Sequence, residues 1–199
     1  MITITAGQLE TWLAQIFWPF VRIGACLMVA PGFGAIFVPA RVRIVLAGAI
    51  ALTVAPLVPA PQGVAPFSAA GFVITAQQVL IGLALGFALQ IVFDAVTLGG
   101  QVLANSMGLS FAFNVDPMRG TSTAAVGQLY ALLVMLTFLA LDGHLALIAT
   151  LIDGFRTLPI GVTGLGSVGL WTLVGWGSQL FAGALAVALP GVTAPLIVN

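Results

Sequence analysis

Phe72-Val-Ile-Thr-Ala-Gln-Gln-Val-Leu-Ile-Gly-Leu-Ala-Leu-Gly-Phe-Ala-Leu-Gln-Ile-Val-Phe93 decides the class of this chain. Not one of its side chains is charged. A helix needs about 20 mainly apolar residues to cross a hydrocarbon core of about 30 Å, so this run is of membrane length. Gln77 and Gln78 lie near its start, Gly82-Leu-Ala-Leu-Gly86 within it, and Asp94 closes it.

Similar runs lie on both sides. Residues 12–30 form one, and residues 42 to about 58 a second, stopped by Pro56, Pro59 and Pro61. Pro31-Gly-Phe-Gly34 separates the two, followed by Pro39-Ala-Arg-Val-Arg43, read as a basic turn. The first run does not fit a cleaved signal peptide: it has no basic leader, and Glu10 and Arg22 interrupt the pattern. Residues 60–70 read as a loop punctuated by Pro61, Gly63 and Pro66.

Downstream, residues 126–141 are a fourth strong run, closed by Asp142-Gly-His144. Residues 145–152 are too short to span before Asp153 and Arg156 and read as half of a bent hairpin. A glycine-rich loop over 161–169 leads to a last run, 170–198, interrupted by Pro190 and Pro195. The chain stops at Leu196-Ile-Val-Asn199 without a charged flank, which reads as a truncated copy of a longer protein. The expectation is an all-α, membrane-protein-like single domain over 1–199, with four to six helices of near-membrane length. Breakers every 20–30 residues favour short bent hairpins over long straight spans.

Composition agrees. Of 199 residues, 61% are hydrophobic and 5% charged, with a mean hydropathy of +1.21. Soluble domains carry roughly 25% charged residues, so a free soluble enzyme is excluded. The net charge is zero and lysine is absent, which leaves no basic footprint for nucleic acid. A single cysteine, Cys26, and a single histidine, His144, cannot build a disulfide framework or a Cys- or His-rich metal site. No metal, cofactor or catalytic residue is expected. Arg41 and Arg43 favour a cytoplasmic side for their turn, while Arg119 and Arg156 fit a simple alternation poorly.

Four features carry a mechanism. Arg22 lies mid-run, where an arginine costs about 2.5–3.5 kcal/mol on insertion scales. It reads as an assembly residue, a buried donor to partner carboxylates or helix-end carbonyls. In the second feature, helical periodicity stacks Asp94, Thr97, Gln101 and Asn105 beside a small-residue stripe of Gly100, Ala104 and Gly108. That face is either an intersubunit packing surface or the wall of an aqueous conduit. Gly82 and Gly86 form a further close-packing signal.

The third feature is Met107-Gly-Leu-Ser-Phe-Ala-Phe-Asn-Val-Asp-Pro-Met-Arg-Gly120, which glycine, Asn114 and Asp116-Pro117 stop from continuing as a long helix. It is either an ordinary re-entrant connection or a hydrophobic plug of adaptable Met and Phe side chains in a pore. Asp116 and Arg119 are spaced to pair locally. The fourth is Asp142-Gly-His144, first a turn with His144 as C-terminal partner of a helix dipole, alternatively a proton relay.

Trp18-Pro-Phe-Val-Arg22, Ala30-Pro31, Val38-Pro-Ala-Arg-Val-Arg43, the 77–87 segment, Met107-Gly-Leu-Ser-Phe-Ala112 with Asp116-Pro117, and Phe138-Leu-Ala-Leu-Asp-Gly-His144 occur in this order. Together they resemble the FliR family, the flagellar members of the FliR/SctT export-gate proteins of type III secretion. The resemblance implies a non-enzymatic gate subunit built of bent helical hairpins. It would assemble with FliP-type and FliQ-type subunits, and with FlhB-type and basal-body rod components around it. The assembly forms a cone in the bacterial inner membrane, within the flagellar basal body, through which unfolded flagellar proteins are exported.

The resemblance also makes residues 108–120 the plug loop, with Met107, Gly108, Leu109, Phe111, Phe113, Val115 and Met118 as plug residues. Arg22, Arg41, Arg43, Gly82 and Gly86 are expected at assembly contacts, beside membrane lipid. Two other readings stand against it. A stand-alone small-solute transporter would use Asp94, Gln101 and Asn105 at a midplane site. An intramembrane enzyme is opposed by the single histidine, the single cysteine and the lack of clustered carboxylates.

Overall fold

The computed structural model describes residues 6–36, 38–59, 64–108, 113–115, 122–162 and 164–198. Among these residues there are six α-helices: α1 (Ala6–Val29), α2 (Ala40–Val54), α3 (Ala69–Ser106), α4 (Ala125–Ala140), α5 (Gly143–Thr157) and α6 (Ser167–Val198). A single 3₁₀ turn, Ala55–Leu57, extends α2. Two short strands, β1 (Phe113–Val115) and β2 (Ser122–Ala124), pair antiparallel with Phe113 opposite Ala124 and Val115 opposite Ser122. Among the described residues four helices are long and apolar enough to cross a membrane, or five if the bent α4–α5 pair counts as one span.

α3 is the spine. Ser68 caps its start, its hydroxyl accepting from the Gly71 N–H at 3.1 Å. Its 38 residues extend about 57 Å at 1.5 Å per residue, nearly twice a hydrocarbon core. The helix does not stop at Asp94, where the apolar run ends. No proline interrupts residues 69–106, and the Asp94 carboxylate accepts from Gln90 Nε2 one turn back at 2.9 Å. Gly108, with φ +71°, ends the helix in the left-handed conformation that glycine adopts without strain.

α1 packs along the first half of α3. There the Cβ atoms that Gly82 and Gly86 lack would meet backbone atoms of Arg22 and Cys26. α4 and α6 pack along its second half, Tyr130 lying against Gly100 and Val187 against Gly99. α2 lies on α1, with Gly24 facing Ala47. One core gathers Trp18, Ile23, Leu27, Ala51, Val54, Ile74 and Phe155, and a second gathers Cys26, Ala30, Leu147 and Leu151. Both cores draw on α5, which thereby lies over α1.

Three local expectations need correction. Arg41 and Arg43 stand in the first turn of α2, not in a turn before it, because Pro39 serves as N-cap and its fixed φ feeds directly into the helix. α6 runs through Pro190 and Pro195 as one helix of 32 residues. In apolar surroundings the backbone keeps its remaining hydrogen bonds in place of exposing them. The expected bend does occur between α4 and α5, at 67°, where Asp142 takes a left-handed φ of 54°. His144 therefore opens α5, and is not a C-terminal partner for α4. The described residues are thus all-α and membrane-protein-like, with long apolar helices and the bent pair α4–α5.

Candidate functional site at the end of the central helix

Two sites emerge: a buried polar anchor around Arg22, and the segment that leaves the C-terminal end of α3.

Arg22 is fully buried at the middle of α1. Its Nε donates to Gln78 Oε1 at 2.7 Å, its Nη1 to the Gly154 carbonyl at 3.0 Å and its Nη2 to the Leu158 carbonyl at 2.7 Å. The guanidinium also sits 4.2 Å from the centroid of the Phe155 ring, close enough for a cation–π contact. The two carbonyls belong to the last turn of α5 and the residue after it, where the helix dipole places partial negative charge. These acceptors are helix-end carbonyls, and they come from the same chain. One turn before Arg22, the Trp18 indole N–H donates to Thr75 Oγ1 at 3.2 Å. α1, α3 and α5 are thus tied by one buried cation without a carboxylate among these contacts. Gln78, Thr75 and Phe155 escape a reading of the sequence. The available signal is that a lone arginine in an apolar run requires acceptors, and an amide in another apolar run can supply one.

The small and polar face of α3 is divided. Thr97, Gly100 and Ala104 are buried, Asp94 and Gln101 are half-buried, and Asn105 is exposed. Thr97 donates to the Phe93 carbonyl one turn back at 2.9 Å. The Gln101 side chain lies against Gly127, and the Tyr130 ring covers Gly100. α4 of the same chain therefore occupies much of this face. Gly82 and Gly86 likewise meet α1 of their own chain. Arg41 is exposed. Arg43 turns back on the α1–α2 connection, donating to the carbonyls of Val38 at 2.8 Å and Ala35 at 3.3 Å.

The segment after α3 begins with Met107, which is exposed, and the left-handed Gly108. Phe113, Asn114 and Val115 form β1, and β2 leads directly into α4. Leu109, Phe111 and Met118 lie outside the described residues, as do Asp116 and Arg119 with their expected pairing. At the α4–α5 bend, Asp142 is exposed, and His144 Nδ1 is buried without a hydrogen-bond partner among the described residues.

Residues 13–199 match a family profile described as bacterial export proteins, family 1. The chain belongs to that family. It is 40% identical over 199 residues to the flagellar biosynthetic protein FliR of Escherichia coli (strain K12), covering all of this chain and 76% of that one. The corresponding protein of Pectobacterium carotovorum subsp. carotovorum is 38% identical over 200 residues, again covering 76% of the relative. FliR of Caulobacter vibrioides is 29% identical over 185 residues, covering 90% of this chain and 72% of that protein. The FliR-family chain thus joins export-family membership to several membrane-length apolar helices, and its location is a membrane.

Proposed function

We propose that this FliR-family chain is a component of the flagellar export apparatus and serves it as a structural and gating subunit. Its role is to assemble with FliP-type and FliQ-type subunits, next to FlhB-type and rod components, in the inner-membrane part of the basal body. Unfolded flagellar proteins are the cargo, and the chain itself performs no chemistry.

The observation that supports gating is where the Met- and Phe-rich segment starts. It leaves the end of the longest helix at an exposed Met107 and a left-handed Gly108, and it returns through β2 into α4. Both of its ends join packed helices, α3 before it and α4 after it. In the closed gate Met107, Gly108, Leu109, Phe111, Phe113, Val115 and Met118 fill the lumen, and a threading chain displaces them. Exposed apolar side chains along α6, among them Val168, Trp171, Val174, Phe181 and Leu185, suit a helix covered by lipid or by other subunits. Arg41 is an outward-facing cation available to those neighbours. A lone small-solute carrier would use Asp94, Gln101 and Asn105, of which Asp94 accepts from Gln90 of its own helix and Gln101 packs against Gly127 of α4.

The test is deletion of residues 108–114 in the assembled complex, with ion conductance measured in a planar bilayer. Raised conductance with intact assembly is expected. Unchanged conductance in a correctly assembled deletion complex would overturn the plug.

A further inference from the structure

A groove of 480 Å³ runs between α1, α2 and the first half of α3, outside both sites just described. Phe20, Gly24, Met28, Ala47 and Leu83 contribute to its almost wholly apolar wall, and Arg43 is the one charged residue lining it. Its size falls within the range of about 300–1,000 Å³ typical of small-molecule sites.

The polarity of this groove follows from the antiparallel course of α1 and α2. Gly24 faces Ala47, so Met28 lies toward the α1–α2 connection together with Arg43, and Phe20 lies at the far end. From Met28 to Phe20 is about 12 Å along a helix, close to the hydrocarbon depth of one leaflet, about 15 Å. Arg43 stands near the start of the Ala40–Leu57 span, and a basic residue near the end of a membrane-length span is placed to reach lipid headgroups. Its Nε and Nη2 are fastened to the Val38 and Ala35 carbonyls. Nη1 makes no hydrogen bond among the described residues, and no carboxylate among them pairs with Arg43. A cation anchored at one end of an apolar slot one leaflet deep complements an amphiphile with an anionic head and a hydrocarbon tail.

We infer that this groove holds an acidic phospholipid, its acyl chain lying between α1, α2 and α3 and its phosphate accepting from Arg43 Nη1. The inference is independent of the plug, since its test reads lipid retention and not conductance.

The test uses the full chain, and separately the assembled complex, in mild detergent. Each is titrated with phosphatidylglycerol or phosphatidylcholine and observed by native mass spectrometry. One basic residue at a membrane surface contributes about 1 kcal/mol, or about fivefold. The wild type is therefore expected to retain phosphatidylglycerol about fivefold better than phosphatidylcholine. Arg43→Gln should lose that preference and Arg43→Lys should keep it, which separates charge from the structural bonds to Val38 and Ala35. Ile44→Trp, at an exposed position on the rim of the groove, should weaken retention of both lipids. Inorganic phosphate should not displace the bound lipid. Equal retention of the two lipids by the wild type would overturn the inference, as would a preference that survives Arg43→Gln. A Leu83→Cys cross-link to another subunit in a lipid-free complex would assign the groove to a protein helix instead.

Discussion

Replacing Arg22 by alanine tests the anchor most directly. The side chain makes three hydrogen bonds and one ring contact in a site with no exposure to solvent. Truncation strips the Gln78 carbonyl oxygen of its donor at a fully buried position, and an unsatisfied buried polar group costs about 1–3 kcal/mol. The Gly154 and Leu158 carbonyls belong to half-buried residues and recover part of their loss from water. Losing the cation over Phe155 adds about 0.5–2 kcal/mol. The expected destabilisation is about 1.5–5 kcal/mol, since truncation leaves neutral acceptors unsatisfied and removes the ring contact.

Arg22→Lys should fall between the two, because one ammonium cannot present the guanidinium fork to acceptors on two elements. Unfolding in mixed micelles measures the stability, and hydrogen exchange locates it: α5 amides should lose protection while α6 amides do not. The exposed Arg156–Asp153 pair, 3.8 Å apart, supplies the control, since such pairs contribute about 0–1 kcal/mol. A stable Arg22→Ala chain with normal α5 protection would refute the reasoning. If that stable variant also failed to enter the complex, the donors of Arg22 would serve another subunit.

Two further perturbations address the close contacts and the bend. A Cβ on Gly86 would lie 2.7 Å from the Cys26 carbonyl oxygen, whereas one on Gly48 meets nothing within 4 Å. Gly86→Ala should therefore destabilise by about 1–3 kcal/mol through overpacking, and Gly48→Ala should stabilise by up to about 1 kcal/mol through helix propensity; matched melts of the two variants check the difference. Asp142 is exposed and left-handed, so Asp142→Val should cost about 1–2 kcal/mol from backbone strain alone. Asp142→Gly should melt at or above the wild type, and equal melting of the Val and Gly variants would count against strain at the bend.

The sequence makes the four long spans visible because membrane-length helices are a property of consecutive residues. Asp94 closes the apolar run, and the helical periodicity of Thr97, Gln101 and Asn105 beyond it agrees with one helix that continues to Ser106. The same locality explains where such a reading misplaces things. Pro190 and Pro195 look like breaks, yet α6 continues through both. Asp142-Gly signals a turn correctly, but the direction of the chain after it, and hence the place of His144 at the start of α5, depends on the left-handed φ of Asp142.

At the sites, residue types were legible and their partners were not. Arg22 stands out in its run, as do Gly82 and Gly86, and the sequence reading expects all three at assembly contacts. The structure turns all three inward, toward acceptors and backbone of their own chain. Arg22 meets Gln78, Gly154 and Leu158 across separations of 56, 132 and 136 residues. Oiliness, span length and the need of a buried cation for acceptors follow from amino-acid chemistry alone. Which acceptors it finds is decided by packing, because backbone carbonyls are common to every residue and only the fold selects the few that reach the guanidinium.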